Sequence, residues 1–267
     1  MDKHNVLTNL NHGFRKGYSC ETQLALTLDD IFRNFDKDIQ TDIVVLDFSK
    51  AFDKVPHDRL LYKLDSYGIR DGLLRWLTNY LCNRTMTVVV DGDSSDPAPV
   101  LSGVPQGTVL GPLLFLCFIN DLPDTVSSQV RLFADDCVLY RLIKNHNDHL
   151  KLQEDLQNLE KWADTWGMEF NAKKCHILSV KNKTSFFYQL CGEILKNVSS
   201  TTYLGLNISN DLKWSTHVRD LCSKASSRLG FIRRNLQHCP LTTRKNAYLA
   251  LVRSVMEYGA AIWDPHL

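Results

Sequence analysis

Gln129-Val-Arg-Leu-Phe-Ala-Asp-Asp-Cys-Val-Leu-Tyr-Arg-Leu142 is a pair of strand-like runs parted by two carboxylates. A two-residue spacer between segments 129–134 and 137–142 is a hairpin signal, although Asp135-Asp136 is a poorer turn pair than Asp-Gly. A second β-branched run, Asp42-Ile-Val-Val-Leu-Asp-Phe48, also ends in an acid, Asp47. A carboxylate at a strand end costs little, because the strand backbone is satisfied while the side chain reaches a cleft. If the strands are neighbours, Asp47 and Asp135 converge, and converging carboxylates repel unless a cation stands between them. Mg²⁺ suits such a site, preferring oxygen and taking few protein ligands. Two such ions roughly 3.5–4 Å apart activate an attacking hydroxyl and stabilise a leaving oxygen. Taken singly, turn and strand-end aspartates serve as local caps; the three together say more.

A third element is Ser102-Gly-Val-Pro-Gln-Gly-Thr-Val-Leu-Gly-Pro-Leu-Leu-Phe115. Gly103, Pro105 and Gly107 force a non-repeating loop that lets backbone approach a ligand closely. Thr108 is placed to cap the helix that follows, leaving N–H groups available to a phosphate. Gln106 donates and accepts, which suits a sugar or a base edge. A Gly/Pro loop in front of a buried helix has the same composition.

Outward from these stretches, apolar spacing predicts a helix over Glu21–Asp38 with Leu24, Leu28, Ile31, Phe32 and Phe35 on one stripe. Helices are also expected over 60–67, over 72–82, and from Val109 to about Leu122, where Pro123 stops the last. Segments 85–90 and 98–101 read as strands. A long amphipathic helix covers His146–Trp166 with Leu150, Leu152, Leu156, Leu159 and Trp162 inward. Short strands fill Cys175–Ser209, and two basic helices, about 215–236 and 241–262, follow, divided by Pro240. The irregular mixture favours α+β with an antiparallel sheet.

At 267 residues the chain buries enough surface to fold without a disulfide or metal staple. The net charge of +1 hides a split: nine Lys or Arg and one acid, Asp220, between Lys213 and Arg253, against nine aspartates between Asp29 and Asp65. An acidic centre for metals beside a basic arm for phosphates gives this pattern, as do two solvated helix faces. Eight cysteines without C-x-x-C spacing or a secretory signal point to reduced, mostly buried thiols, in cytoplasm or nucleus. Cys175-His176 and His238-Cys239 lack a second ligand pair at zinc spacing. No apolar run is long enough for a transmembrane segment.

Asp47-Phe-Ser-Lys-Ala-Phe-Asp53, the Gly103-Val-Pro-Gln-Gly107 loop and Phe133-Ala-Asp-Asp136 occur in the order and spacing of reverse transcriptase motifs A, B and C. His12-Gly-Phe-Arg-Lys-Gly-Tyr-Ser19 resembles the preceding family motif, Trp166–Lys174 motif D, and Tyr203–Ile208 the primer-grip motif E. The segment Glu257–Pro265 is similar to the region after the thumb in jockey/CR1-like, LINE-type non-LTR retrotransposons. The resemblance implies a right-hand polymerase fold with truncated fingers, a ferredoxin-like antiparallel palm and a helical thumb. Residues 1–209 would be the fingers remnant and palm, and 210–267 the thumb-like basic region.

The resemblance also implies roles. Asp47, Asp135 and Asp136 would hold two Mg²⁺ or Mn²⁺ ions, with the Phe48 carbonyl as a further ligand. Phe52 stands where the family gates the nucleotide 2′-hydroxyl, and is otherwise a core residue. Gln106 and Gly107 would face the nucleotide. Lys174, with Lys173 as a rival, would protonate departing pyrophosphate. Lys224, Arg228, Arg233 and Arg234 would grip the phosphates of an RNA template and DNA primer, with dNTPs as substrate. The family's upstream Arg-Pro-Ile motif has no counterpart here. Arg15 is the candidate to share its load, and the chain is expected to be a piece of a longer retroelement polyprotein. Two other readings stay open: an inactive retroelement fragment that binds RNA or RNA–DNA duplex, and a two-metal phosphohydrolase, which leaves the Pro-Gln-Gly loop and Phe52 unexplained.

Overall fold

The computed structural model describes residues 6–264. Its helices of eight residues or more are α1 (Cys20–Asp36), α2 (His57–Ser66), α3 (Asp71–Leu81), α4 (Leu110–Ile119), α5 (His146–Trp166), α6 (Ser215–Asn235) and α7 (Leu241–Tyr248). The main sheet comprises β1 (Gln40–Leu46), β2 (Gln129–Phe133), β3 (Asp136–Ile143), β4 (His176–Val180) and β5 (Lys196–Val198), in spatial order β5-β4-β1-β3-β2. Its first four strands and the helices between them follow β1-helices-β2-β3-α5-β4 with order 4-1-3-2, the ferredoxin-like arrangement. Only the edge strand β5 departs from the expected antiparallel pairing, running parallel to β4.

Alternation along β1 gives the sheet two apolar faces. Val44 and Leu46 look toward Phe115, Phe118, Leu156 and Leu159 of α4 and α5. Ile43 looks the other way, toward Leu24, Leu28 and Ile31 of α1 and toward Tyr203, Leu206 and Ile208. β1 is therefore covered on both sides, which explains its nearly continuous apolar run. Ser19 starts α1 with a reciprocal cap: its hydroxyl accepts the Thr22 N–H, and the Thr22 hydroxyl accepts the Ser19 N–H at 2.9 Å. Leu150, expected inward on α5, is 48% exposed, because the buried stripe there runs through His149, Leu152 and Asp155 instead. Helix α4 stops at Ile119, earlier than expected, and Pro123 sits in a separate 3-10 turn, Leu122–Thr125.

The second basic helix is broken rather than continuous. After α7 comes a π-helical stretch, Leu249–Arg253, then a turn to Glu257, and Gly259 (φ 64) redirects the chain. A side chain at 259 would meet Leu206, and the Tyr258 hydroxyl donates to the Leu204 carbonyl at 2.8 Å. Tertiary contact with the 200–209 hairpin thus overrides helix propensity. Pro265 of the family-like segment lies outside the described residues. All eight thiols are free; Cys117, Cys137 and Cys175 are buried, but Cys191 and Cys222 are exposed, so the expectation of mostly buried thiols fails. Among the described residues no helix is long and apolar enough to cross a membrane.

Between α3 and α4 a ribbon of short strands, 84–100, projects from the body: every residue from Thr85 to Pro99 is exposed, including Met86, Val88, Val89 and Val90.

Helices α2, α4 and α5 meet at Lys63, which is 2% exposed. Its ammonium donates to the Phe118 carbonyl at 2.6 Å, near the C-terminus of α4, and to Asp121 at 2.5 Å. It lies 3.7 Å from the Trp166 ring centroid and 5.0 Å from that of Trp162. A cation there complements the helix end and the ring faces. Burial nevertheless pulls its pKa down to about 8 from 10.5, against the opposing pull of Asp121. Between those values the unfolded chain carries the extra proton, so stability contributed by this site rises with pH across the window. The melting temperature of the wild type should therefore climb relative to Lys63→Met between about pH 8 and about pH 10.5. A gap that stays constant over that range contradicts the assignment.

Candidate active site

Pairing of β1 with β3 ends at Leu46 opposite Cys137. Continuing that register by one residue sets Asp47 across from Asp136. The hairpin turn between β2 and β3 consists of Ala134 and Asp135, because Phe133 pairs with Asp136. The sequence expectation of Asp135-Asp136 as the turn is thus off by one. Ala134 takes a left-handed φ of 55°, and its N–H donates to Asn11 Oδ1 at 3.1 Å. The same oxygen accepts the Gly13 N–H at 3.0 Å. Leu10, His12 and Leu132 exchange backbone hydrogen bonds, at 2.9 Å and 3.1 Å, so the 10–14 segment runs alongside the hairpin that bears Asp135 and Asp136. Any Cβ at Gly13 would lie 2.4 Å from the Ala134 nitrogen; only glycine permits this approach.

Asp47 is held by its own backbone. Its N–H donates to Cys175 Sγ at 3.3 Å, and its carbonyl accepts the Asn171 N–H at 2.7 Å. Desolvation and then the Asp47 charge raise the Asp135 carboxyl above the ordinary carboxylate value. Desolvation followed by the charges of Asp135 and Asp47 does the same to Asp136. Lys174 stands 3.5 Å from Asp47 Oδ2 and supplies positive charge to the group.

Three oxygen-donor carboxylates in mutual repulsion are the donor chemistry a hard divalent cation fits. As the side chains stand, no three His, Cys, Asp or Glu groups among the described residues are close enough to hold an ion together. The three acids thus share one field without forming a ligand cluster as their side chains stand.

Beside them opens a cavity of about 540 Å³ lined by Phe14, Lys50, Ala51, Phe52, Asp53, Gln106, Gly107, Thr108, Pro112 and Asp135. The glycine-rich loop is docked on the turn after β1. Gly103 (φ 90) has no room for a side chain, since a Cβ would fall 2.7 Å from the Asp53 carbonyl. Ser102 donates to that carbonyl at 2.8 Å, and Gln106 Nε2 donates to Asp53 Oδ1 at 2.9 Å. Thr108 accepts the Gly111 N–H at 3.0 Å, capping α4 as expected. Phe52 stacks on Phe115 with centroids 4.3 Å apart, so it is both packed against the core and present in the cavity wall.

Arg15 is not among the lining residues. Its guanidinium donates to the Thr8 carbonyl at 2.5 Å and lies over the Tyr18 ring. Phe48 stacks on Phe170 at 4.5 Å. Of the two adjacent lysines, Lys173 and Lys174, Lys174 is the one that pairs with Asp47. In the basic region, Arg228 donates to the Leu251 carbonyl at 2.9 Å and so ties two helical stretches together. Arg233 and Arg234 line a second cavity of about 570 Å³ with Arg244 and Gln237, and Lys224 lies outside it. Phe14, Lys50, Asp53 and Arg244 escaped the sequence reading as site residues. The first three lie within stretches it did single out; nothing local marks Arg244.

A ferredoxin-like sheet with acids at the ends of its central strands, beside a glycine loop that opens a helix, defines the palm of a template-directed polymerase. The family model described as reverse transcriptase (RNA-dependent DNA polymerase) matches residues 1–208. The chain is 29% identical over 285 residues to the probable RNA-directed DNA polymerase from transposon BS of Drosophila melanogaster, covering 98% of this chain and 31% of that protein. It is 26% identical to the RNA-directed DNA polymerase from mobile element jockey of the same organism, covering 97% of this chain and 30% of that one. It therefore spans about 31% of the length of the first of these relatives. Telomerase from Candida tropicalis in complex with a TWJ fragment of telomeric RNA superposes with a TM-score of 0.51 at 12% identity, covering 87% of this chain and 41% of that one. A likeness at that identity is one of fold. The chain belongs to the reverse transcriptase family, whose members use divalent metal ions.

Raised carboxyl pKa values mean that the folded state bears a desolvation cost and a charge repulsion absent from the unfolded chain. Stability linked to these acids is greatest below their ordinary value of 3.8 and is lost as pH rises through the raised folded values. Asp136→Asn should consequently raise the melting temperature at neutral pH in metal-free buffer, and this gain should fade as pH falls toward 3.8. An equal or lower melting temperature at neutral pH refutes the coupling.

Proposed function

We propose that this chain is the catalytic core of an RNA-directed DNA polymerase of a non-LTR retrotransposon. In the reaction, a primer 3′-hydroxyl attacks the α-phosphorus of a dNTP, a P–O bond forms, and pyrophosphate leaves. The observation that carries the reading is the strand register that sets Asp47 across from Asp136, with Asp135 in the adjoining turn, beside a cavity walled by Phe52 and Gln106.

These acids would hold two Mg²⁺ or Mn²⁺ ions, the Phe48 carbonyl serving as a further ligand. Bound ions supply hydroxyl activation and stabilisation of the leaving oxygen. The protein's own groups do the rest. Gln106, oriented by Asp53, offers a hydrogen bond to sugar or base, and Gly107 lets the nucleotide approach the loop backbone. Lys50 brings positive charge to the cavity wall for the triphosphate. Lys174, released from Asp47, delivers a proton to departing pyrophosphate. Phe52, fixed by Phe115, closes the space a 2′-hydroxyl would need. Residues 210–267 act as a thumb on the RNA template and DNA primer, with Arg233 and Arg234 as stronger phosphate partners than Arg228, whose guanidinium is already engaged.

Primer extension on RNA tests the reading. With Mg²⁺ or Mn²⁺ the wild type should extend and Asp135→Ala should lose roughly 10³-fold or more, since ion-based charge stabilisation is worth several kcal/mol. Chelation should abolish extension. Equal inactivity of the two proteins, with retained duplex binding, supports the inactive nucleic-acid-binding fragment instead. Replacing Arg233 and Arg244 with Ala should flatten the dependence of log affinity on log salt by roughly 0.9 per charge removed; an unaltered slope removes both from the nucleic-acid surface.

A further inference from the structure

Phe14 is 63% exposed, an aromatic side chain left largely in water. Its backbone lies in the left-handed region (φ 54), a genuine outlier for a bulky residue. Such conformations persist only where the surroundings over-determine them, and they gather at ligand clamps. The surroundings here do so. The pairing of Leu10 and His12 with Leu132, the double acceptor Asn11, and the side-chain-free Gly13 against Ala134 deliver residue 14 over the turn that bears Asp135. There its ring stands edge-on to Phe52, with centroids 6.4 Å apart and planes at 78°. Phe52 is immobilised by stacking on Phe115, whereas Phe14 is packed by no core cluster. The two rings form an apolar corner on the same cavity wall as Asp135 and Gln106.

We propose that Phe14 is a specificity-determining residue that completes this corner around the nucleotide's sugar, so that selection for the 2′-deoxy form is set by Phe14 and Phe52 together. The inference rests on the cavity being the nucleotide site. A 2′-methylene is accommodated between two ring surfaces. A 2′-hydroxyl there gives up water and finds no partner, because neither ring offers an acceptor. The chain accepts a strained residue 14 because the ring it carries serves the ligand rather than the core.

The test uses the whole chain with a primed RNA template whose primer ends in a dideoxynucleotide. The Kd of dUTP and of UTP, which differ only at the 2′ position, is then read from ternary-complex stability without turnover, alongside extension of an ordinary primer. Phe14→Ala and Phe14→Asn should shrink the dUTP-over-UTP preference about tenfold, the scale on which apolar pockets discriminate. Phe14→Tyr, which keeps the ring, should retain the preference. Asn tolerates left-handed backbone, so Phe14→Asn should melt at or above the wild-type temperature; a purely structural ring would instead cost stability and leave the preference untouched. An unchanged ratio in Phe14→Ala, or equal weakening of both nucleotides, overturns the proposal while leaving the polymerase reading intact. A wild type that neither binds nucleotide nor extends primer removes the polymerase reading, and the role of Phe14 falls with it.

Discussion

The antiparallel register of β1 against β3 is the constraint from which the site follows. Because side chains alternate along a strand, a slip of one residue would send Val44 and Leu46 to the opposite face and carry Asp47 away from Asp136. Burial on both faces makes that slip costly. Fully burying a Leu or Val side chain is worth about 1.5–3 kcal/mol, and β1 places Ile43, Val44 and Leu46 in two separate cores. The acids at the sheet end are therefore held together, against their own repulsion, by packing one or two residues away. The site is destabilised locally and stabilised from behind.

A second layer of control comes from segments distant in sequence. Asn11 and Gly13 shape the turn at Ala134, Asn171 and Cys175 fix the backbone of Asp47, and Asp53 orients Gln106. Each is a short polar or steric contact that leaves the core untouched. The paired central strands supply position, and these contacts supply aim.

Much of this was legible in the sequence where the signal is local. The apolar periodicity of α1, the inward Leu152, Leu156, Leu159 and Trp162 of α5, the capping Thr108, and the acids closing β-branched runs all read correctly. What was missed depends on contacts no window contains. The turn moved to Ala134-Asp135 because a side chain from residue 11 rewards that pairing. The helix expected through Ile262 breaks at Gly259 because Leu206 occupies the space beside it. Leu150 is outward because a buried Asp155, accepting the Ser127 and Ser128 N–H groups at 2.8 Å, occupies the inward stripe of α5. Arg15 carries a motif position, yet its guanidinium satisfies the carbonyls of its own loop. Pattern locates acids and helices well; it does not reveal which way a long cation turns.

The ribbon from Thr85 to Pro99 has a further consequence. With no residue of it in either core, its strands are held by their mutual hydrogen bonds and little else. Such a unit opens on its own, at a free energy far below that of the whole domain, and its amide protons exchange with solvent accordingly. A molecule lying against that ribbon would meet a surface able to open independently of the sheet that bears the carboxylates.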